Sequence, residues 1–241
     1  MSFFQPQRLR GLTACVIACL GVACASNPNQ NPYDSSERLA ELVARWRHVQ
    51  ENGWACEENA ARETPVVDCE RIRIDLERLA LEFPRDVPVL LANAVVSYQV
   101  KRYQRSQMFL DALFDLERVH ADAAVLRTRL AVREGNLRFA RRFVDEQIEL
   151  TPDHGELREA RAAVRYLAKD YDGAARDLEA ALELGVPESR IAYHQGLVAE
   201  AAGRLDDAKF YYGRAVSLNP GGSPAASRLR GLRLESTPRS R

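Results

Sequence analysis

From Val89 onward, small, large and polar positions recur along the chain with a period of 34 residues. Leu116, Leu150, Leu184 and Leu218 stand at one phase without exception. Ten residues before each stand Ser106, Ala140, Ala174 and Ala208, all small, and four residues after those come Leu110, Val144, Leu178 and Tyr212, all large. A second small phase is formed by Ala94, Thr128, Ala162 and Gly196. This period predicts four copies of a hairpin made of two helices of about thirteen residues each. Small residues let the two axes approach closely, and large ones fill the groove between hairpins. Pro152, Pro187 and Pro220 follow their leucines by two or three residues and stop the second helix, with Arg118 in that place in the first copy.

Turn chemistry agrees with the period. In "REGNLRFA" and "AAGRLDDA", Gly135 and Gly203 can supply the positive φ that ends a first helix. The segment "AYHQGLVAEAAGRLDDAKFYYGRAVSLNP" carries Gly196, Gly203, Ala208, Tyr212, Ala215 and Pro220 in an order that resembles the tetratricopeptide repeat. Departures are Ala192 for the usual Trp, Lys101 and Lys169 for the turn glycine, and Gln147 for a small residue. The resemblance covers Val89 to Pro220, more than half the chain. It implies an all-α fold, a right-handed α-solenoid of stacked helical hairpins, whose concave face is lined by the first helix of each pair and suits a peptide or a partner helix.

By the same resemblance, the groove-facing positions include Tyr98, Arg129, Arg133, Tyr166, Tyr193, His194 and Glu200, with Arg127, Arg138, Arg141 and Arg142 adding charge to one repeat. Aromatics and arginine are favoured at binding surfaces, although ordinary repeat packing and a solvated face would draw on the same residues. The Lys/Asn/Arg carboxylate clamp of chaperone-binding repeats is absent, with Leu91, Val95, Val125 and Glu159 at the matching places.

A fifth hairpin is expected before the four. Leu39, Leu42, Val43, Trp46 and Val49 share one helical face, and Ile72, Leu76, Leu79, Ala80 and Phe83 share another before Pro84. At the other end, Ser223 and Pro224 read as an N-cap and a first-turn proline opening a short helix, with Leu229 and Leu232 inward and its arginines outward. The expected organisation is a leader over 1–23, a tether over 24–34, an atypical hairpin over 35–84, the four-repeat array over 85–220, and a capping helix with a basic tail over 221–241.

The leader has its own pattern. Arg8 and Arg10 precede an apolar run, and no acid occurs before Asp34, which is the layout of a secretory signal. The run is too short to span a bilayer, which needs about 20 apolar residues. Its end, "LGVAC", resembles the lipobox of bacterial lipoproteins, where cleavage precedes a lipidated cysteine. That resemblance points to Cys24 as the lipid attachment site, with Cys19 at the end of "VIAC" as its rival. The polar stretch "ASNPNQNPYDSS" would hold the body up to ~40 Å from the lipid, at ~3.3 Å per residue. Residue 25 is Ala, not the Asp that favours inner-membrane retention in enteric-type bacteria, so the resemblance implies the periplasmic face of the outer membrane.

Removal of the leader leaves Cys24, Cys56 and Cys69. With Cys24 lipidated, Cys56 and Cys69 remain as one disulfide pair in an oxidising compartment, or as two separate buried thiols.

Charge narrows the partners. Lys+Arg and Asp+Glu are both 34 among 241 residues, so no global field draws the chain to nucleic acid. The balance shifts only at the very end, where Arg228, Arg230, Arg233, Arg239 and Arg241 face the single acid Glu235. No phosphate-binding loop, G-x-S-x-G, H-E-x-x-H or C-x-x-C occurs, and His48, His120, His154 and His194 are scattered, so no catalytic site, metal site or cofactor is expected. The expected role is an envelope adaptor or assembly factor of the secretin-pilot kind, binding a protein or peptide partner and held to the membrane by lipid. The alternatives are a homo-oligomeric scaffold for cell-wall enzymes and a periplasmic enzyme with an unrecognised site.

Overall fold

A computed structural model describes residues 34–51, 69–220 and 224–235. The leader, Cys19, Cys24, the tether up to residue 33, Cys56, Ser223 and the end of the basic tail lie outside the described residues. The described residues are helical, with no strand among them. They divide into two compact units, with the boundary in the chain between Ala123 and Ala124.

The first unit holds α1 (Ser36–Glu51), α2 (Cys69–Glu82), α3 (Val87–Gln99), α4 (Tyr103–Leu116) and the first turn of α5 (Ala121–Arg133). Leu39, Leu42, Trp46 and Val49 of α1 are buried, as are Ile72, Leu76, Leu79 and Ala80 of α2, so both expected apolar faces point into a core. Polar side chains then fix the register. Asp86 caps α3 by accepting from the Val89 amide at 3.0 Å, and the Ser35 hydroxyl donates to the same carboxylate. Trp46 Nε1 donates to Gln99 Oε1 at 2.6 Å, and Asn93 Nδ2 donates to the Leu76 carbonyl at 2.9 Å. Cys69 is buried at the first position of α2.

The second unit holds the rest of α5, then α6 (Leu137–Leu150), α7 (Gly155–Leu167), α8 (Tyr171–Glu183), α9 (Glu188–Ala201), α10 (Leu205–Leu218) and α11 (Pro224–Glu235). Here α7 pairs with α8 and α9 with α10, while α6 packs on α7, α8 on α9, and α11 on α10.

Both small phases and the large phase of the 34-residue period are buried in every copy, from Ala94, Ser106 and Leu110 to Gly196, Ala208 and Tyr212. The closeness they permit is visible in the Ser106 hydroxyl, which donates to the Ala94 carbonyl across α3 and α4 at 2.8 Å. The leucine phase behaves differently. Leu150, Leu184 and Leu218 are 50%, 38% and 48% exposed, because each stands at or just past the end of a second helix, beyond the packed seam.

The four turns inside the hairpins are alike in backbone although not in residue. Lys101, Gly135, Lys169 and Gly203, 34 residues apart, have φ of 64°, 76°, 63° and 77°. The amide after each closes on the first helix: Arg102 to Ser97, Asn136 to Ala131, Asp170 to Arg165 and Arg204 to Ala199, at 2.8 to 2.9 Å. Left-handed backbone disfavours a residue with a Cβ by about 1–2 kcal/mol, while glycine loses some of that advantage through its freer unfolded chain. Lys169→Gly is therefore expected to stabilise the second unit by ~0.5–1 kcal/mol in a denaturant melt. An unchanged or lowered midpoint would contradict the strain.

Candidate partner-binding face

The first helices of successive hairpins in the second unit, α5, α7 and α9, bring charged and aromatic side chains together. Glu159 of α7 is buried and lies 2.9 Å from Arg190 Nε and 3.1 Å from His194 Nδ1, both on α9. Arg190 Nη2 is also 3.4 Å from Glu156 Oε1, one turn earlier on α7. Burial pushes the Glu159 carboxyl up, but His194, Arg190 and Arg129 together outweigh it and hold the group at about 2.

A carboxyl held below its ordinary value of 4.5 contributes stability that is present above that value and lost as pH falls toward about 2. Wild-type protein should therefore lose stability more steeply between these limits than Glu159→Gln, as read by denaturant melts across the range. Parallel profiles would contradict the assignment.

A second cluster lies toward the end of α9. Tyr212 of α10 donates its hydroxyl to Glu200 Oε2 at 2.6 Å, and Arg228 of α11 donates Nη1 to Glu200 Oε1 at 3.0 Å. Burial, and then the bond to Glu200, raise the Tyr212 phenol well above its ordinary range. Tyr166 and Tyr193 are raised too, first by burial, and both feel the charges of Arg228 and Glu200.

An ion-pair network ties the helices of the same unit. Arg161 of α7 grips Asp177 of α8 with Nε at 2.9 Å and Nη2 at 2.6 Å, and reaches Asp145 of α6 with Nη1 at 3.2 Å. Arg165 Nη1 adds a contact to Asp177 at 3.0 Å and donates to the Gly173 carbonyl at 3.0 Å.

The expected groove residues are thus unequal. Tyr166, Tyr193 and Glu200 come together, and His194 meets Glu159, which also feels the charge of Arg129. Arg133 stands at the end of α5. Tyr98 belongs to the first unit, where its ring meets Tyr103 edge-on at 5.6 Å. Tyr193 and His194 are only 2% and 7% exposed, so they support the face more than they present to solvent. Arg138, Arg141 and Arg142 sit on α6, a second helix, in an open groove they share with Asp145, Glu146 and Glu149. The outward arginines expected of the last helix need one correction: Arg228 turns in to Glu200, because a carboxylate with an open lone pair lies within its reach.

No family model matches the sequence. A bovine relative, tetratricopeptide repeat protein 36, is 37% identical over 110 residues, covering 44% of this chain and 57% of the relative. The chain therefore spans little more than half the length of that relative. A thermophilic tetratricopeptide-repeat protein of Thermus thermophilus superposes with a TM-score of 0.67 at 17% identity, over 83% of this chain and all of that one. The chain has the tetratricopeptide-repeat fold. A further likeness, to the APC/C hetero-tetramer Cut9–Hcn1, has a TM-score of 0.68 at 12% identity over 93% of this chain and 40% of that one.

In a tetratricopeptide-repeat array the period itself can locate the face. Glu156 and Arg190 are 34 residues apart, as are Tyr166 and Glu200, so side chains at one phase of neighbouring first helices meet. Sequence reasoning does not single out Glu159, Arg190, Arg228 or Tyr212 as groove residues, because each looks ordinary in its own repeat.

Proposed function

We propose that this tetratricopeptide-repeat protein is an adaptor or assembly factor of the bacterial envelope, anchored through lipid on Cys24 at the periplasmic face of the outer membrane. Its first-helix face in the second unit binds a protein or peptide partner. The observation that carries this reading is the row of Glu156, Arg190, Tyr166 and Glu200 on successive first helices, with the buried Glu159 holding Arg190 from beneath, a surface of charge and aromatic edge. The fold supports it further, since stacked hairpins offer extended binding surfaces, and the solved Cut9–Hcn1 hetero-tetramer joins a similar fold to another chain.

Affinity capture of the full chain from solubilised envelope, with mass spectrometry of co-purifying chains, tests the reading. One stoichiometric envelope partner, lost on Arg190→Glu, supports it; capture indifferent to that change sinks it. Cys24→Ala should release the protein from membranes, and retained attachment would move the lipid to Cys19. Mass analysis of the non-reduced protein should join Cys69 to Cys56.

The alternative of a homo-oligomeric scaffold draws on α10, where Phe210, Leu218 and Leu205 are all exposed, Phe210 most of all at 62%. Light scattering that shows a concentration-dependent oligomer, abolished by Phe210→Glu, would favour it.

A further inference from the structure

Glu200 is a carboxylate already prepared for a guanidinium. Its Oε2 is fixed by the hydroxyl of Tyr212, whose side chain is buried, so the group cannot turn freely. The Tyr193 ring stands 6.0 Å from that of Tyr212, and Tyr166 packs against the same cluster of buried side chains. The carboxylate is still reachable: its side chain is 25% exposed, and that of Arg228 is 37% exposed.

Arg228 fills the place incompletely. It donates to Glu200 through Nη1 to Oε1, although a guanidinium has five N–H donors in a fork that matches both carboxylate oxygens. The helix that carries it, α11, is 12 residues long and is held to the body by Ala225, Leu229 and Leu232. A better-placed guanidinium would compete on favourable terms, whereas an ammonium would give up the planar fork and the stacking on tyrosine.

We propose that Glu200, backed by the buried rings of Tyr193 and Tyr212 and flanked by the half-buried Tyr166, is a binding site for an arginine side chain presented by a partner segment, and that Arg228 is its resident stand-in in the free protein. The partner's arginine displaces Arg228 and takes the carboxylate in a forked pair. This rests on the reading that the first-helix face binds a protein partner, and it adds the chemistry of what is bound.

The probe is N-acetyl-arginine amide, titrated into full-length wild-type, Arg228→Ala and Arg228→Ala/Glu200→Gln chains and followed by calorimetry. Arg228→Ala should bind at least ~10-fold more tightly than wild type, the double variant should lose that binding, and N-acetyl-lysine amide should bind Arg228→Ala more weakly than the arginine probe. Because Glu200→Gln could loosen Tyr212, Tyr166→Leu in the Arg228→Ala background is measured as well; with helicity unchanged in circular dichroism, it should weaken binding while leaving the carboxylate in place. Equal affinity of wild type and Arg228→Ala, or binding that survives both Glu200→Gln and Tyr166→Leu, overturns the arginine site. A captured partner that depends on Arg190 but ignores Glu200 would leave the partner-binding face standing without the arginine site. A chain that captures no partner but whose Arg228→Ala form binds the probe would do the reverse.

Discussion

Asp177→Ala is expected to lower the unfolding free energy of the second unit by ~3–5 kcal/mol, the usual cost of stranding one half of a buried ion pair. Asp177 is buried, and Arg161 reaches it with two bonds of 2.9 and 2.6 Å. The change leaves Arg161, with a side chain 15% exposed, holding only Asp145, and it removes the contact of Arg165 at 3.0 Å. Charge and packing can be told apart with Asp177→Asn, which keeps the shape and one acceptor and should recover part of the loss. Denaturant unfolding of the three proteins reads the result, and a loss under about 1 kcal/mol would mean that the network adds little.

The second large effect concerns Gly196 and Tyr212. A Cβ at Gly196 would stand 2.5 Å from Cδ1 and Cε1 of the Tyr212 ring, which is buried and cannot swing out to solvent. Gly196→Ala should therefore cost ~1–3 kcal/mol as overpacking, and Tyr212→Ala ~3–5 kcal/mol as a cavity. The sister hairpins suggest the remedy: Ala94 with Leu110 and Ala162 with Leu178 occupy the same two phases. Gly196→Ala combined with Tyr212→Leu restores that pairing and should cost clearly less than Gly196→Ala and Tyr212→Leu measured singly and added together. Strict additivity would show that the two positions do not share the contact.

The hairpins are legible in the sequence because burial follows the period. Each small and large phase must be buried for two axes to approach, and a residue such as Ala140 or Val144 leaves that requirement plain. The α1–α2 hairpin is legible from its apolar faces alone. Side-chain chemistry is less so. The leucine phase is as regular as any other, yet Leu150 and Leu218 end their helices half in solvent, since period records repetition and not depth. Lys101 and Lys169 stand at the turn-glycine phase, yet as residue types they give no sign of left-handed backbone, which the tertiary turn imposes against their preference. Arg228 reads as a surface arginine, for nothing in its own helix reveals a carboxylate on α9. Glu159 enters only as a missing clamp residue, although its partners Arg190 and His194 lie about one period downstream.

Hydrogen–deuterium exchange of the full chain, with and without its captured partner, shows which helices the partner covers. New protection is expected in α7 and α9, the first helices that carry Glu159, Arg190 and Glu200. Protection confined to the second helices α6, α8 and α10 would contradict a first-helix binding face.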